Sequence, residues 1–365
     1  MSLVALRSAL AAVPSHFSST LTLAYDTACN VLERTVINAM KQGPMPRHVG
    51  FVMDGNRRFA QKINVNTGEG HYAGSKQGEK VLKMCMDLGI DVVTVYAFSI
   101  ENFKRPKEEV DYLMQLFREK FTELCLHNDT VREYGVQIRF LGNLDLLPPD
   151  VADAARKAME MTKNNTRYDF LFFVGPYTCK WRGIGSEGGR GRVLSDTNTH
   201  STIVPHFSRI FNICCPYTAR DEITTAMRKI VQGVERDEIK PEQIDDYMIE
   251  QHLFTADCPP LDIWVRTSEY RLSDFLLWQS CRNCHVQFVD CYWPEFSLWK
   301  FLPALFEYQV NYAELQRNRS RSRSTLATPT LLLTEPTLSD QKLKFEVTEN
   351  EQCRRRTPSP VPRVA

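Results

Sequence analysis

An acid, a glycine, an amide and two arginines stand together in Asp54-Gly55-Asn56-Arg57-Arg58. Each residue type has a use beside a phosphate. A carboxylate shares Mg²⁺ with phosphate oxygens. A guanidinium presents a planar fork to them, and a glycine lets backbone amides close on an anion. The chemistry this set would serve is metal-assisted binding of a diphosphate. Taken alone, the same residues read equally well as a solvated turn with two surface arginines, because short motifs recur by chance.

Two further clusters shift that balance. Ser99-Ile100-Glu101-Asn102-Phe103-Lys104-Arg105-Pro106 adds a hydroxyl, an amide and two cations. Arg266-Thr267-Ser268-Glu269-Tyr270-Arg271-Leu272-Ser273-Asp274 adds two more arginines and several hydroxyls. The whole chain has 45 Lys+Arg against 44 Asp+Glu, a net charge of +1. Bulk charge therefore says nothing about an anionic partner, and only local convergence of the clusters would.

The elements around the clusters decide whether they converge. His48 to Met53 is a short apolar run that stops at Asp54, as a buried parallel strand does. Helical spacing follows over 73–88 and ends at Gly89. Residues 91–98 read as a second strand. Pro106 then opens a helix with an apolar face of Val110, Leu113, Met114, Phe117 and Phe121. Strands are expected again at 136–141, 211–215, 261–265 and 286–289, and helices at 149–162, 219–235, 241–253 and 295–316. Such alternation predicts an α/β fold with a mainly parallel central sheet flanked by helices. All three clusters follow strand C-termini, so they should share the sheet edge at which ligands bind. The expected organisation is a leader over 1–33, one catalytic domain over 34–316 and a disordered tail over 317–365.

One stretch does not fit. Residues 179–210 are glycine-rich with almost no apolar periodicity, and a structureless segment of that length is unusual inside a compact domain. It lies between Val174-Gly175-Pro176-Tyr177-Thr178 and the near-duplicate Cys214-Cys215-Pro216-Tyr217-Thr218. Only the second copy runs into a good helix, so it is read as the true strand. Residues 171–210 are read as an inserted loop or a mis-spliced segment.

The motifs His48 through Arg58, Gly70-His71-x-x-Gly74, Val95 through Arg105, Arg266-Thr267-Ser268, Arg271 through Gln279 and Trp293-Pro294-Glu295-Phe296 together resemble the cis-prenyltransferases, the undecaprenyl diphosphate synthase family. Within it they are most similar to the eukaryotic dehydrodolichyl diphosphate synthase catalytic subunits. The resemblance spans about residues 34–312. It implies elongation of an allylic diphosphate, farnesyl diphosphate, by successive isopentenyl diphosphate units, for dolichol synthesis and protein glycosylation. It implies that Asp54 holds Mg²⁺ on the leaving diphosphate, which Gly55, Arg57 and Arg58 cradle. Arg105, Arg266, Arg271 and Ser273 would grip isopentenyl diphosphate. Asn102 with Ser99 would orient that substrate or assist proton removal, and His71 would reach the same site. The growing chain needs an apolar tunnel, for which Leu113, Phe117 and Phe121 are candidate walls as well as plain core.

The chain departs from the family in two places. The family has a glycine after Arg-Thr-Ser, and here Glu269 follows Ser268 with one residue fewer before Arg271. No glycine occurs after Gly233, so no Arg-x-Gly lies beyond it. The resemblance then implies a Nogo-B-receptor-type partner subunit that supplies Arg-x-Gly. Bacterial members have a glutamate metal ligand near the position of Cys284, which leaves Asp54 as the metal ligand expected here. The other reading within this fold is a non-catalytic scaffold subunit, which needs neither Asp54 nor the arginines.

Other signals are weaker. Eleven cysteines are scattered without disulfide-scaffold spacing, which reads as a reducing compartment. Residues 2–25 carry only Arg7 as a fixed charge and read as a leader that touches a membrane surface rather than a transit peptide. With the family, this places the chain peripherally on the cytosolic face of the endoplasmic reticulum membrane. Cys281-x-x-Cys284-His285 fits a haem-attachment pattern, and Gly183-x-Gly185-x-x-Gly188 fits a dinucleotide fingerprint, both without supporting context. The Arg-Ser run at 317–324 reads as a solvated tail, so no nucleic acid is expected as a partner.

Overall fold

The computed structural model describes residues 15–126, 128–165, 209–281 and 283–327. Residues 1–322 form one compact unit, and of the second, 323–365, only the helical residues 323–327 are described.

Short apolar runs rich in β-branched residues, such as Val92-Val93-Thr94-Val95, favour extended chain that packs on both faces. They form β1 (His48–Val52), β2 (Val92–Tyr96), β3 (Gln137–Leu141), β4 (Ile210–Cys214), β5 (Ile263–Thr267) and β6 (His285–Val289). The strands lie in the order β3-β4-β2-β1-β5-β6, and every neighbouring pair is parallel. All residues of β1, β4 and β5 are buried, as expected when helices cover both faces. In register, Val52 at the end of β1 pairs with Tyr96 on one side and Arg266 on the other. That register brings the three cationic clusters to one edge, as their positions in the sequence predict.

The helices are α1 (Ser15–Met40), α2 (Asn56–Lys62), α3 (Thr67–Asp87), α4 (Lys107–Leu126), α5 (Asp129–Tyr134), α6 (Pro149–Thr162), α7 (Ala219–Glu235), α8 (Asp246–His252), α9 (Leu277–Ser280) and α10 (Leu298–Ala327). Their starts carry local signals. Asn66 Oδ1 accepts from Glu69 N at 2.9 Å before α3, and Thr218 Oγ1 from Asp221 N at 3.3 Å before α7. One face of the sheet buries Phe51, Val93 and Val95 with Leu82, Phe117 and Phe301 from α3, α4 and α10. The other buries Trp264, Tyr217 and Phe275.

Several boundaries differ from expectation. The first cluster is a loop only at Asp54 and Gly55, since Arg57 and Arg58 already lie in the first turn of α2. The expected helix over 241–253 is a 3-10 turn at Pro241–Gln243 followed by α8. Helix α1 crosses the boundary drawn at 33, and residues 1–14 lie outside the described residues. Helix α10 continues through the Arg-Ser run to Ala327 instead of stopping near 316. The reason is visible at Arg319, which pairs with Asp262 Oδ1 at 2.6 Å and donates to the carbonyls of Leu261 at 2.9 Å and Asn283 at 3.1 Å. This arginine belongs to the packed structure and not to a solvated tail. Residues 328–365 lie outside the described residues.

Most of the glycine-rich stretch, with its dinucleotide-like motif and the first near-duplicate, also lies outside the described residues. Ile210, at its end, is the first residue of β4. The second near-duplicate is a true strand exit: β4 ends at Cys214, and Pro216-Tyr217-Thr218 leads into α7. Among the described residues no helix is long and apolar enough to cross a membrane.

Candidate active site

The site begins where β1 runs out. Gly55 has φ +105, a left-handed conformation that a side chain resists, and a Cβ there would sit 2.9 Å from Ser268 Oγ. This turn opens α2 directly after Asp54. Thr267 Oγ1 donates to the Asp54 carbonyl at 2.7 Å, and Trp293 N donates to it at 3.0 Å. The Asp54 backbone is thus tied to β5, while its carboxylate faces the space beyond the strands.

Arg266 is the hub of the site. It lies on β5, and its side chain is only 1% exposed. Its Nη2 donates to Asp54 Oδ2 at 2.7 Å and to Glu269 Oε2 at 3.1 Å, and its Nη1 donates to the Arg271 carbonyl at 2.7 Å and to Ser273 Oγ at 2.5 Å. Burial pushes the Arg266 pKa down, and the Asp54 charge opposes this in part. Arg58 on α2 also reaches Asp54 Oδ2, at 3.3 Å.

The second cluster surrounds a different carboxylate. Glu109, near the start of α4, pairs with Arg105 at 2.9 Å, His71 at 3.3 Å and Arg57 at 3.8 Å. Burial lowers the His71 pKa, and Glu109 offsets this only in part, so the imidazole is mainly neutral near pH 7. His71 reaches this place because α3 lies close against α2. A Cβ at Gly70 would fall 2.3 Å from the Asn56 carbonyl oxygen, so a larger residue there would force the helices apart. Ser99 and Asn102 brace one another: Ser99 N donates to Asn102 Oδ1 at 3.0 Å, and Ser99 Oγ accepts from Glu101 N at 3.2 Å. They cap the 3-10 turn Ile100–Lys104 that carries Arg105.

The third cluster is a strained loop. Ser268, Ser273, Asp274 and Leu276 all have positive φ, from +47 to +77, although none is glycine. Left-handed residues concentrate where a backbone is held for function. Glu269 pairs with Arg58 at 2.9 Å and also with Arg271. Burial works to raise its pKa, but Arg271, Arg58 and Arg266 outweigh this and hold the carboxyl below its ordinary range.

These clusters bound one cavity of about 660 Å³. Asp54, Gly55, Arg57, Arg58, His71, Ser99, Asn102, Arg105, Arg266, Arg271 and Ser273 all line it, so every site residue singled out from the sequence is brought together. A second, apolar cavity of about 140 Å³ lies between the sheet, α3 and α4. It shares Met53, His71, Ala97 and Leu113 with the first, and Phe117, Phe121 and Leu124 line it further in. The side chains weighed as core or tunnel wall are both: Phe117 and Phe121 are buried, and they face this cavity.

Sequence reading missed the carboxylate centres. Glu109 was an ordinary first-turn acid of a helix, and only its i,i+4 spacing from Arg105 hinted at a pair. Cys284 precedes β6 at the opposite, N-terminal edge of the sheet, so a ligand there is remote from Asp54 of the same chain. Cys281-x-x-Cys284-His285 forms no metal cluster. No group of three or more His, Cys, Asp or Glu residues that could hold a metal ion occurs among the described residues.

Residues 52–183 and 193–316 match the prenyltransferase family described as "Putative undecaprenyl diphosphate synthase". The chain is a cis-prenyltransferase. It is 40% identical to a dehydrodolichyl diphosphate synthase complex subunit of Schizosaccharomyces pombe, over 76% of this chain and 90% of that one. It is 37% identical to a dehydrodolichyl diphosphate synthase complex subunit of Homo sapiens, over 88% of this chain and 85% of that one. Among solved structures, lavandulyl diphosphate synthase from Lavandula x intermedia, in complex with dimethylallyl diphosphate, superposes with a TM-score of 0.55. It is 26% identical, over 73% of this chain and 95% of that one. This cis-prenyltransferase is therefore a transferase that forms C–C bonds, and its fold is the parallel α/β sheet of its relatives.

Proposed function

We propose that the enzyme extends farnesyl diphosphate with successive isopentenyl diphosphate units to give a long polyprenyl, dehydrodolichyl-type diphosphate. The observation that carries this reading is one arginine-lined cavity opening onto an apolar one. Two diphosphates need the first, and a lengthening hydrocarbon needs the second. The names of the yeast and human relatives support the product class.

The residues divide the work by position. Gly55, Arg57 and Arg58 cradle the diphosphate of the allylic substrate at the start of α2. Arg105, Arg266, Arg271 and Ser273 grip isopentenyl diphosphate across the cavity. The allylic C–O bond breaks with its electron pair leaving on diphosphate, and fixed guanidiniums stabilise the developing charge. The double bond of isopentenyl diphosphate forms the new C–C bond, and a proton then leaves to set a cis double bond. Ser99 and Asn102 orient that substrate for the proton loss, with neutral His71 close by. Asp54 is 30% exposed, and its oxygens already accept from Gly55 N, Arg58 and Arg266. It fits Mg²⁺ that shares phosphate oxygens, and not a cation held by protein alone. When bound, such an ion neutralises diphosphate charge.

The enzyme works with a Nogo-B-receptor-type subunit that contributes Arg-x-Gly. The relatives named as complex subunits support this. Soluble substrates and a hydrocarbon product favour a peripheral position on the cytosolic face of the endoplasmic reticulum membrane. Incorporation of labelled isopentenyl diphosphate by the full chain, with and without the co-expressed partner, tests the proposal. Incorporation should require the partner and be lost in Asp54→Ala. Incorporation that survives Asp54→Ala in this chain would make it the scaffold subunit.

A further inference from the structure

Besides Asp54, two carboxylates pair with arginines that line the cavity, and they are held differently. Glu109 sits in the first turn of a long helix, its side chain is 13% exposed, and it pairs with Arg57, His71 and Arg105. It is a fixed orienting group. Glu269 sits on the strained loop after β5, and its side chain is 30% exposed. Its two oxygens contact Arg58, Arg266 and Arg271. Arg58 comes from α2, and Arg266 and Arg271 from β5 and the loop after it; among the described residues this carboxylate alone pairs with all three. Only Arg58 and Arg266 also share Asp54.

The backbone of Glu269 is fixed: its N–H donates to the Thr267 carbonyl at 3.0 Å, and the N–H of Ser268 donates to Val289 at 3.2 Å. Its side chain is partly exposed and lines the cavity, so an entering anion meets it directly. A carboxylate and a phosphate present the same forked acceptor to a guanidinium. A diphosphate brings more charge and more oxygens to the same donors. We propose that Glu269 is a releasable counter-ion, an internal stand-in for phosphate that a diphosphate must displace to engage Arg58, Arg266 and Arg271. Glu269 then sets the affinity and anion selectivity where the two diphosphate positions meet, with Arg58 on one side and Arg266 and Arg271 on the other. It keeps three guanidiniums gathered between turnovers, and it weakens the hold on weak anions and on released diphosphate. The inference rests on the reading that these arginines bind diphosphate.

The test uses the full chain and inorganic pyrophosphate as the probe, by calorimetry in chelator-treated buffer, so that no turnover and no metal are involved. Glu269→Gln keeps the size and removes the charge. It should bind pyrophosphate roughly tenfold more tightly than the wild type, while Glu269→Asp stays close to the wild type. Pyrophosphate should also raise the melting temperature of Glu269→Gln more than that of the wild type, even if the free variant is less stable. A gain in affinity is a result that structural damage does not produce. Wild-type binding with Glu269→Gln equal or weaker would overturn the counter-ion role and leave the diphosphate reading intact. No pyrophosphate binding by either protein would overturn both.

Discussion

The two ends of the parallel sheet each contain an aspartate paired with an arginine that is distant in sequence, and the pairs are built in opposite senses. At the C-terminal edge the arginine is the buried member: Arg266 is 1% exposed and Asp54 30%. At the N-terminal edge the acid is buried: Asp262 is 3% exposed and Arg319 16%. Asp262 is also saturated. Its Oδ2 accepts from the backbone of Arg47 and His48, and its Oδ1 accepts from Tyr308 and Arg319. Buried atoms without hydrogen-bond partners occur at both ends, Arg266 Nε at one and Arg319 Nε at the other, so the difference lies in the acids. Asp262, buried with both oxygens filled, locks strands to the last helix. Asp54, partly exposed and lining a cavity, leaves capacity for a ligand.

The sharpest way to break this comparison is to remove each acid. Asp54→Ala should lower isopentenyl diphosphate incorporation by at least ~10³-fold, the scale of a lost charge-stabilising group. It should leave the circular dichroism spectrum unchanged. Asp262→Ala should do the reverse. It strands Arg319 and two backbone donors, and it should cost about 3–5 kcal/mol in urea unfolding. Equal stability losses in the two variants would erase the distinction.

The N-terminal edge also makes a pH prediction. His48 is buried; its Nδ1 donates to the Pro259 carbonyl at 2.9 Å, and its Nε2 meets Thr94 Oγ1 at 2.8 Å. Burial lowers its pKa from 6.5 to about 4. Between those values the unfolded chain binds a proton that the folded one refuses, so stability falls as pH falls through this window. The loss amounts to ~3 kcal/mol for this group. Unfolding of the wild type and of His48→Gln, measured from pH 7 to 4, should show a shallower slope in the variant. Parallel slopes would remove His48 from the account.

The smallest effect belongs to the strained loop. Ser268 has φ +77, so Ser268→Gly should raise the urea midpoint by an amount equivalent to ~1 kcal/mol. A lower midpoint would mean that the side chain is needed against Gly55 and that the strain is not stored there.

Much of the site was legible before any coordinates. Apolar runs ending at Asp54, at Ser99 and at Arg266 mark strand exits, and parallel alternation places exits on one edge. The partners were not legible. Asp54 meets Arg266 across a gap of 212 residues, a pairing set by β5 lying next to β1, and no local spacing encodes strand order. Glu109 was not singled out and Glu269 stood only as a departure from the family pattern, because their role depends on which arginines other elements bring to them. Arg319 looked like part of a polar tail because Arg-Ser composition carries no sign of the buried Asp262 that anchors it.

The sequence by itself determined the residue types at the strand exits, the period of each element and so the α/β class. These are local properties, fixed by side-chain chemistry within a few residues. Which arginine is buried and which acid meets which cation waited on the tertiary fold. Burial and pairing are properties of neighbours in space, and the Asp54–Arg266 pair joins residues 212 apart.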